Sequence, residues 1–177
     1  MSWQSPLVQD RRVSPQQPPN SAWFTAHNTT GTSTWHRAIK TTSMVTASGW
    51  VTSLHCSGTL VSDCSPLKGM PLEFLDVSKT RVHDLSPLTG APLNELWIFD
   101  SLVSDLTPLK GMSLRILSGS SYHLSDFSVI KDMPLRYLGL VFNPQQHTDL
   151  LRSIKTLDTV NDKPITEFWK EVEATKP

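Results

Sequence analysis

The chain has 177 residues, 38% of them hydrophobic, and its 16 basic side chains balance 16 acidic ones. This length predicts a single domain with a modest core. Residues 1–50 hold four basic and one acidic residue, residues 51–177 hold 12 and 15, and neither part has the concentrated basic face that nucleic-acid binding requires.

Two kinds of targeting segment are missing from the sequence. No apolar run approaches the ~20 residues of a membrane span, and no secretory hydrophobic region of the usual length lies near Met1. We therefore expect neither a nucleic-acid nor a membrane partner, and a cytoplasmic location.

Residues 1–50 form a segment rich in hydroxyl side chains and proline, with 15 Ser or Thr and four Pro. The stretch SPQQPPNS at positions 14–21 predicts turns or low order, and no apolar period is visible. The segment also contains four tryptophans, Trp3, Trp23, Trp35 and Trp50. Either some of them dock onto the first repeat as a cap, or the segment is a degenerate leader of low order.

From residue 51 to residue 144 the sequence repeats every 21 residues without insertion or deletion. Four full copies begin at Val51, Leu72, Leu93 and Leu114, and a partial fifth copy begins at Leu135. A fixed short period predicts a solenoid, because each unit then buries its apolar side chains only against its neighbours.

Apolar columns mark the first half of each copy, with the spacing L-x-x-L-x-L. The second and third columns consist of Leu54, Leu75, Leu96, Leu117 and Leu138, and of Cys56, Val77, Ile98, Gly119 and Leu140. Their alternation predicts a short strand whose inward side chains stack from copy to copy. A polar column follows, formed by Thr59, Thr80, Ser101, Tyr122 and Asn143. Side chains there can bond the backbone of the turn.

The second half of each copy predicts a single helical turn on the opposite, convex side. The hydroxyl residues expected to cap this turn are Ser65, Ser86 and Thr107, each followed by a proline at the first helical position. Glycines at 69, 90 and 111 offer the left-handed conformation that ends such a turn. The fourth copy has Val129 and Asp132 instead of the proline and the glycine, so we expect its turn to be less regular.

These motifs resemble those of bacterial leucine-rich repeat proteins of the short D-L-x-P-L type and are broadly similar to internalin-like arrays. Runs such as SDLTPLKGM and the later segment LRSIKTLDTVNDKPITEFWKEV look most like planctomycete-type repeat proteins. The resemblance covers roughly residues 51–176. It implies an α/β solenoid with short parallel strands on a concave face, short helical turns on the convex side and a C-terminal helical cap. Some members of that family carry a serine/threonine protein kinase domain ahead of the repeats.

This polypeptide does not carry the kinase itself. It has no G-x-G-x-x-G, H-R-D or D-F-G motif, and fifty residues before the repeats are too few for a catalytic domain. The sequence therefore predicts a non-catalytic module that binds an unknown protein partner and needs no cofactor. The alternative is a regulatory fragment or remnant of a repeat-bearing kinase. Neither interpretation predicts the oligomeric state.

Residues 145–177 are expected to form a helical cap over the last repeat. The sequence predicts one helix over Asp149 to Lys155, with Thr148 as a possible N-cap, and a second helix after Pro164. In the second helix Ile165, Phe168, Trp169 and Val172 recur at helical spacing. Phe168 and Trp169 either cover the open end of the array or dock a partner.

Function is expected on the concave strand face, where outward residues alternate with the buried columns. The predicted partner-binding residues are His55, Phe74, Asp76, Glu95, Trp97, Phe99, Ile116 and Tyr137. Small residues of the same outward rows, among them Ser78, Ser118 and Gly139, are predicted to point outward as well. Aromatic anchors with a polar rim are typical of protein interfaces. Two alternatives stay open: the aromatic residues are scattered without function, or the N-terminal segment folds over them.

Candidates for chemistry are weaker. The six histidines lie in different columns or outside the repeats, so none pairs at metal-ligand spacing. Aspartates recur once per copy, at Asp63, Asp84, Asp105 and Asp126. They either bind a cation or, as we expect, accept hydrogen bonds from their own turns. Cys56 and Cys64 occupy inward columns and are predicted to be reduced core residues. No catalytic, cofactor or metal residue is predicted.

Overall fold

The computed structural model describes residues 43–45, 51–119, 123–124 and 126–175, and for residues 43–45 the backbone alone. The predictions for the rest of the N-terminal segment, and for Tyr122 in the polar column, lie outside the described residues.

Eight short strands of the described residues form one sheet, and their order in the sheet is their order in the chain. The strands are β1 (Ser43–Val45), β2 (Val51–His55), β3 (Phe74–Asp76), β4 (Glu95–Trp97), β5 (Ile116–Ser118), β6 (Tyr137–Gly139), β7 (Thr159–Val160) and β8 (Lys163–Pro164). Strands β2 to β7 are parallel, whereas β1 and β8 pair antiparallel at the two edges.

The sheet register follows the sequence period. Leu54 is paired with Leu75, Leu75 with Leu96, and so on to Leu138, so that each step between strands from β2 to β6 is one 21-residue copy. The side chains of this column are essentially inaccessible to solvent, and together with the other apolar columns they form one continuous core. The α/β solenoid with parallel strands that the period predicts is confirmed.

The sheet begins before the first repeat. Strand β1 pairs antiparallel with β2, with Ser43 opposite Leu54, although the sequence analysis assigned this part of the chain to a segment of low order. No period marks these residues, because an antiparallel edge strand does not share the register of the repeats.

A 3-10 helix turns the chain back in each full copy: Ser65–Leu67, Ser86–Leu88, Thr107–Leu109 and Ser128–Asp132. The predicted caps are wrong by one residue, because the hydroxyl residue is the first helical residue and makes no capping hydrogen bond. The aspartate ladder serves this turn instead. The Oδ1 atoms of Asp63, Asp84, Asp105 and Asp126 accept hydrogen bonds of 2.7–2.8 Å from the backbone N–H two residues later.

Left-handed glycines end the first three of these turns, as predicted. Gly69, Gly90 and Gly111 have φ values of 77°, 76° and 79°. In the fourth copy the equivalent residue, Asp132, is instead the last residue of a 3-10 helix of five residues. The turn of the fourth copy is therefore longer, since no glycine is present to end it after three residues.

The C-terminal part combines two helices and a hairpin. Helix α1 (Pro144–Ser153) begins five residues earlier than predicted, because the side chain of Asn143 caps it by accepting from the N–H of Gln145 at 3.0 Å. Thr148 is inside this helix and donates to the carbonyl of Pro144. Helix α2 (Ile165–Ala174) follows Pro164 as predicted. The hairpin β7–β8 was not predicted.

Candidate protein-binding surface

The predicted partner-binding residues lie on the sheet face opposite the core. We call this surface the strand face and define it by the eight residues His55, Phe74, Asp76, Glu95, Trp97, Phe99, Ile116 and Tyr137. Seven of them are half-buried, and Phe99 is 42% exposed. The structure thus leaves all eight side chains accessible in part, while their neighbours in the apolar columns are buried.

The sheet register explains why the aromatic rings of this face gather on one side. Trp97 is paired with Ser118, and Ser118 with Gly139, so the positions next to Trp97 on the side of β5 and β6 carry almost no side chain. Its ring therefore stacks on that of Tyr137, two strands away, with centroids 5.8 Å apart and planes inclined by 28°. Such an offset pair is a favourable arrangement of aromatic rings.

The small residues of the outward rows do not point freely into solvent. Ser78, Ser118 and Gly139, which the alternation of the strands predicts to point outward, are nevertheless buried. Ser118 is paired with Trp97 and with Gly139, so two of these small residues lie on the strands next to a large ring. Exposure on this face is therefore set by size as well as by strand alternation.

One polar atom of the aromatic cluster has no acceptor. The indole nitrogen of Trp97 is shielded from solvent and makes no hydrogen bond within the part of the chain that the structure describes. An unsatisfied buried donor costs about 1–3 kcal/mol. A phenylalanine at position 97 would have no such donor and would avoid this loss of stability.

A second pair of rings occupies the N-terminal side of the face. His55 and Phe74 on the adjacent strands β2 and β3 have ring centroids 4.3 Å apart. Lys79 follows β3 and Phe99 follows β4. The ammonium of Lys79 lies 5.9 Å from the ring centre of Phe99, within the range of a cation–π contact. The ring of Phe99 thus already has a cation of the chain itself beside it.

Carboxylates lie at both ends of the aromatic cluster. Asp76 is the last residue of β3, and its Oδ1 accepts from the N–H of Ser78 at 2.9 Å. Asp162 lies in the turn between β7 and β8, and its Oδ1 accepts from the hydroxyl of Tyr137 at 3.0 Å. Burial, and then this hydrogen bond, raise the pKa of Tyr137 to about 12. Tyr137 therefore remains a neutral donor at any physiological pH.

A shallow cavity of about 470 Å³ joins these groups. Asp76, Trp97, Phe99 and Tyr137 of the strand face line it, whereas His55, Phe74, Glu95 and Ile116 do not. The structure adds residues that the sequence analysis missed: Lys79, Asn161 and Asp162. The only signal for the last two is the Asn-Asp pair before Pro164, typical of a tight hairpin turn, and both have positive φ.

Asn161 holds the cavity wall in place. Its side chain accepts from the N–H of Leu140 at 2.8 Å and donates to the carbonyl of the same residue at 2.9 Å. This two-bond clamp ties the β7–β8 turn to the end of β6, and it thereby fixes Asp162 beside Tyr137.

The titratable groups elsewhere serve the fold. Hydrogen bonds from Ser86 lower the pKa of Asp84, and those from Thr107 and Ser128 do the same for Asp105 and Asp126. Burial, and then nearby carboxylates, raise the pKa of the thiols of Cys56 and Cys64 to about 12, and both cysteines are free. Across the described ranges no group of three or more His, Cys, Asp or Glu is placed to hold a metal ion.

The aromatic residues of α2 belong to the core. Phe168 is 6% exposed and contacts Phe142 with ring centroids 4.9 Å apart, while Trp169 is partly buried against the same cluster. The helix therefore covers the last strands, and the cap interpretation is favoured over partner docking for Phe168. In the described residues no helix is long and apolar enough to cross a membrane.

Comparison with known proteins identifies the fold. No family model matches the chain. No curated protein matches it either. Among solved structures it is similar to an internalin C2 from Listeria monocytogenes, at 19% identity and a TM-score of 0.54, with 70% of each chain covered. An internalin, inlF, from the same species is similar at 18% identity and a TM-score of 0.46, over 72% of this chain and 54% of that one. With the 21-residue register, the first of these likenesses shows a leucine-rich repeat solenoid.

Proposed function

We propose that this protein is a non-catalytic interaction module that binds a protein partner through its strand face. The observation that carries this proposal is the group of partly exposed aromatic rings, Phe74, Trp97, Phe99 and Tyr137, on one face of a parallel sheet. Buried aromatic anchors supply most of the binding energy in protein interfaces, and a polar rim excludes water around them. Asp76 and Glu95 are placed to form such a rim.

The rigidity of the sheet supports the same conclusion. Six parallel strands hold the face in one register, and the underlying leucines are inaccessible to solvent. A preformed surface loses little conformational entropy on binding, which leaves more of the contact energy for affinity.

A capture experiment tests this function. The intact chain and a Trp97→Ala/Phe99→Ala variant are immobilised and incubated with lysate of the source cell. The matched control replaces two exposed leucines outside the strand face, Leu60 and Leu102, by alanine, because these are 69% and 48% exposed. All three chains must give the same circular dichroism spectrum.

We expect the intact chain and the leucine control to retain a common partner that the Trp97→Ala/Phe99→Ala variant loses. An anchor that contributes about 2 kcal/mol weakens binding about 30-fold on removal. Equal capture by all three chains refutes the strand face as the binding surface and directs attention to helix α2. ATP hydrolysis or phosphotransfer by the purified chain refutes the non-catalytic function.

Three finer predictions rest on the sequence alone. They are the planctomycete type of the repeats, a link to a kinase in relatives or in trans, and a cytoplasmic location. Fractionation of the source cell with an antibody to this chain tests the last of them.

A further inference from the structure

The cavity of the strand face is acidic at both ends. Asp76 and Asp162 each use Oδ1 for a hydrogen bond that maintains the fold, and the Oδ2 of each has no partner among the described residues. The salt bridges of the described residues lie outside the cavity and do not involve Asp76 or Asp162; they are Arg136–Asp158, Arg152–Glu173 and Lys163–Glu171. Lys79 is the cation that lines the cavity, and its ammonium faces the ring of Phe99.

The two carboxylates flank the aromatic pair from different strands of the sheet. Asp76 lies on β3 and Asp162 follows β7, which places four strand spacings between their backbones, about 19 Å at ~4.8 Å each. The stacked rings of Trp97 and Tyr137 lie between these ends. An extended chain rises ~3.3 Å per residue, so that two residues six positions apart span the same distance.

We propose that the cavity binds an extended segment of the protein partner that carries two arginines six positions apart, with an apolar residue between them. Each arginine lies against one of the carboxylates, and the apolar residue contacts the Trp97–Tyr137 pair. This inference rests on the proposed function, since it specifies the partner of the same surface.

Arginine fits both ends better than lysine. Its planar guanidinium stacks on an aromatic face and donates two hydrogen bonds to one carboxylate at the same time. Trp97 is the ring next to Asp76, and Tyr137 is the ring next to Asp162. Lysine offers a point charge without this planar match, and the cavity already contains the ammonium group of Lys79.

The test uses the full chain labelled with ¹⁵N and follows the indole N–H resonance of Trp97, assigned by its loss in Trp97→Phe. The probe is the blocked peptide Arg-Ser-Leu-Gly-Ser-Gly-Arg, in which the leucine lies an even number of positions from both arginines and therefore faces the same side of an extended chain. A second peptide has citrulline at both ends, and a third has the same composition with the two arginines adjacent. We expect saturable shifts with the first peptide, at least tenfold weaker binding of the citrulline peptide, and several-fold weaker binding of the third.

Charge-neutral variants locate the site. Asp76→Asn/Asp162→Asn removes both charges and keeps the acceptor oxygens that bond Ser78 and Tyr137, so the fold is retained. We expect this variant to weaken binding of the arginine peptide at least tenfold. The control Asp149→Asn/Glu167→Gln makes the same change in net charge at two exposed positions outside the strand face and is expected to bind like the intact chain.

Several outcomes overturn the inference. It fails if the citrulline peptide binds as well as the arginine peptide, or if the Asp76→Asn/Asp162→Asn variant binds undiminished. Binding only to a chain that carries Arg11→Gln/Arg12→Gln identifies the N-terminal segment of this protein as the occupant and also overturns it. If no peptide binds while lysate capture still requires Trp97 and Phe99, the arginine inference fails and the proposed function stands. If capture is also indifferent to those two rings, both fail.

Discussion

Phe168 offers the sharpest test of how the array is closed at its C-terminal end. Its side chain is 6% exposed, with its ring 4.9 Å from that of Phe142 and 5.3 Å from that of Trp169. Phe168→Ala removes a buried aromatic side chain from this cluster. Such substitutions cost about 3–5 kcal/mol, because transfer energy is lost and a cavity remains.

The loss is large relative to the whole protein. Domains of this size have free energies of unfolding of about 5–15 kcal/mol, so the change consumes a major part of it. In a solenoid each unit contacts only its neighbours, and we therefore expect α2 and the β7–β8 hairpin to open before the central repeats do.

Urea unfolding followed by circular dichroism measures the effect. The control Lys170→Ala lies on the same helix at an exposed position and is expected to change the free energy of unfolding by less than about 0.5 kcal/mol. A loss of less than about 1 kcal/mol for Phe168→Ala refutes the cap assignment, since the ring would then contribute little to the core. Hydrogen exchange in β7 distinguishes local opening from global unfolding.

Three further predictions concern the remainder of the molecule. Gly90→Ala should reduce the free energy of unfolding by about 1 kcal/mol in urea titrations, because the backbone there has a φ of 76°, which disfavours any side chain. The new Cβ meets no atom within 4 Å, so no steric clash adds to this strain. Asp132→Ala, at the equivalent position of the fourth copy, should not reduce the free energy of unfolding. Burial lowers the pKa of His147 below 6.5, so the stability that its neutral side chain contributes is complete above pH 6.5 and is lost as the pH falls through the lowered value. His147→Gln should therefore make the urea midpoint less dependent on pH between pH 7 and pH 5. Cys56 and Cys64 should resist a thiol reagent at pH 8 in the native protein and react fully in urea, since both are buried with a thiol pKa of about 12.

The part of the fold that follows the period could be predicted from the sequence. Each apolar column recurs at the same position in successive copies, so one rule for one copy places the leucines of the whole array. The left-handed glycines were predictable for the same reason, because a turn of fixed geometry recurs with them. The bonds from Thr59, Thr80 and Ser101 to the carbonyls three residues earlier are also confirmed.

The features outside the period could not be predicted from it. Strand β1 and the β7–β8 hairpin pair antiparallel, so the 21-residue register says nothing about them. The true start of α1 depends on Asn143, which the sequence analysis placed in the polar column of the repeats. The period does not reveal that Asp162 lines the cavity, because the hairpin that carries Asp162 lies after the repeats, in the region predicted to be a helical cap.

The period also shows where specificity can be located on this chain. The register of the parallel strands is the same in every copy, although the side chain at one outward position changes from copy to copy: Ser53, Phe74, Glu95, Ile116 and Tyr137. The register tolerates this variation because those side chains add little to the packing between copies. The inward position of the same strands is leucine in every copy. Packing therefore accounts for the uniform column and not for the variable row. The apolar side chains of that row, Phe74, Ile116 and Tyr137, remain partly exposed and are stabilised further when a partner covers them. The variable row supports the proposed binding surface independently of the cavity. Phe74→Ala in the capture experiment tests this, because equal capture by the variant and the intact chain would contradict it.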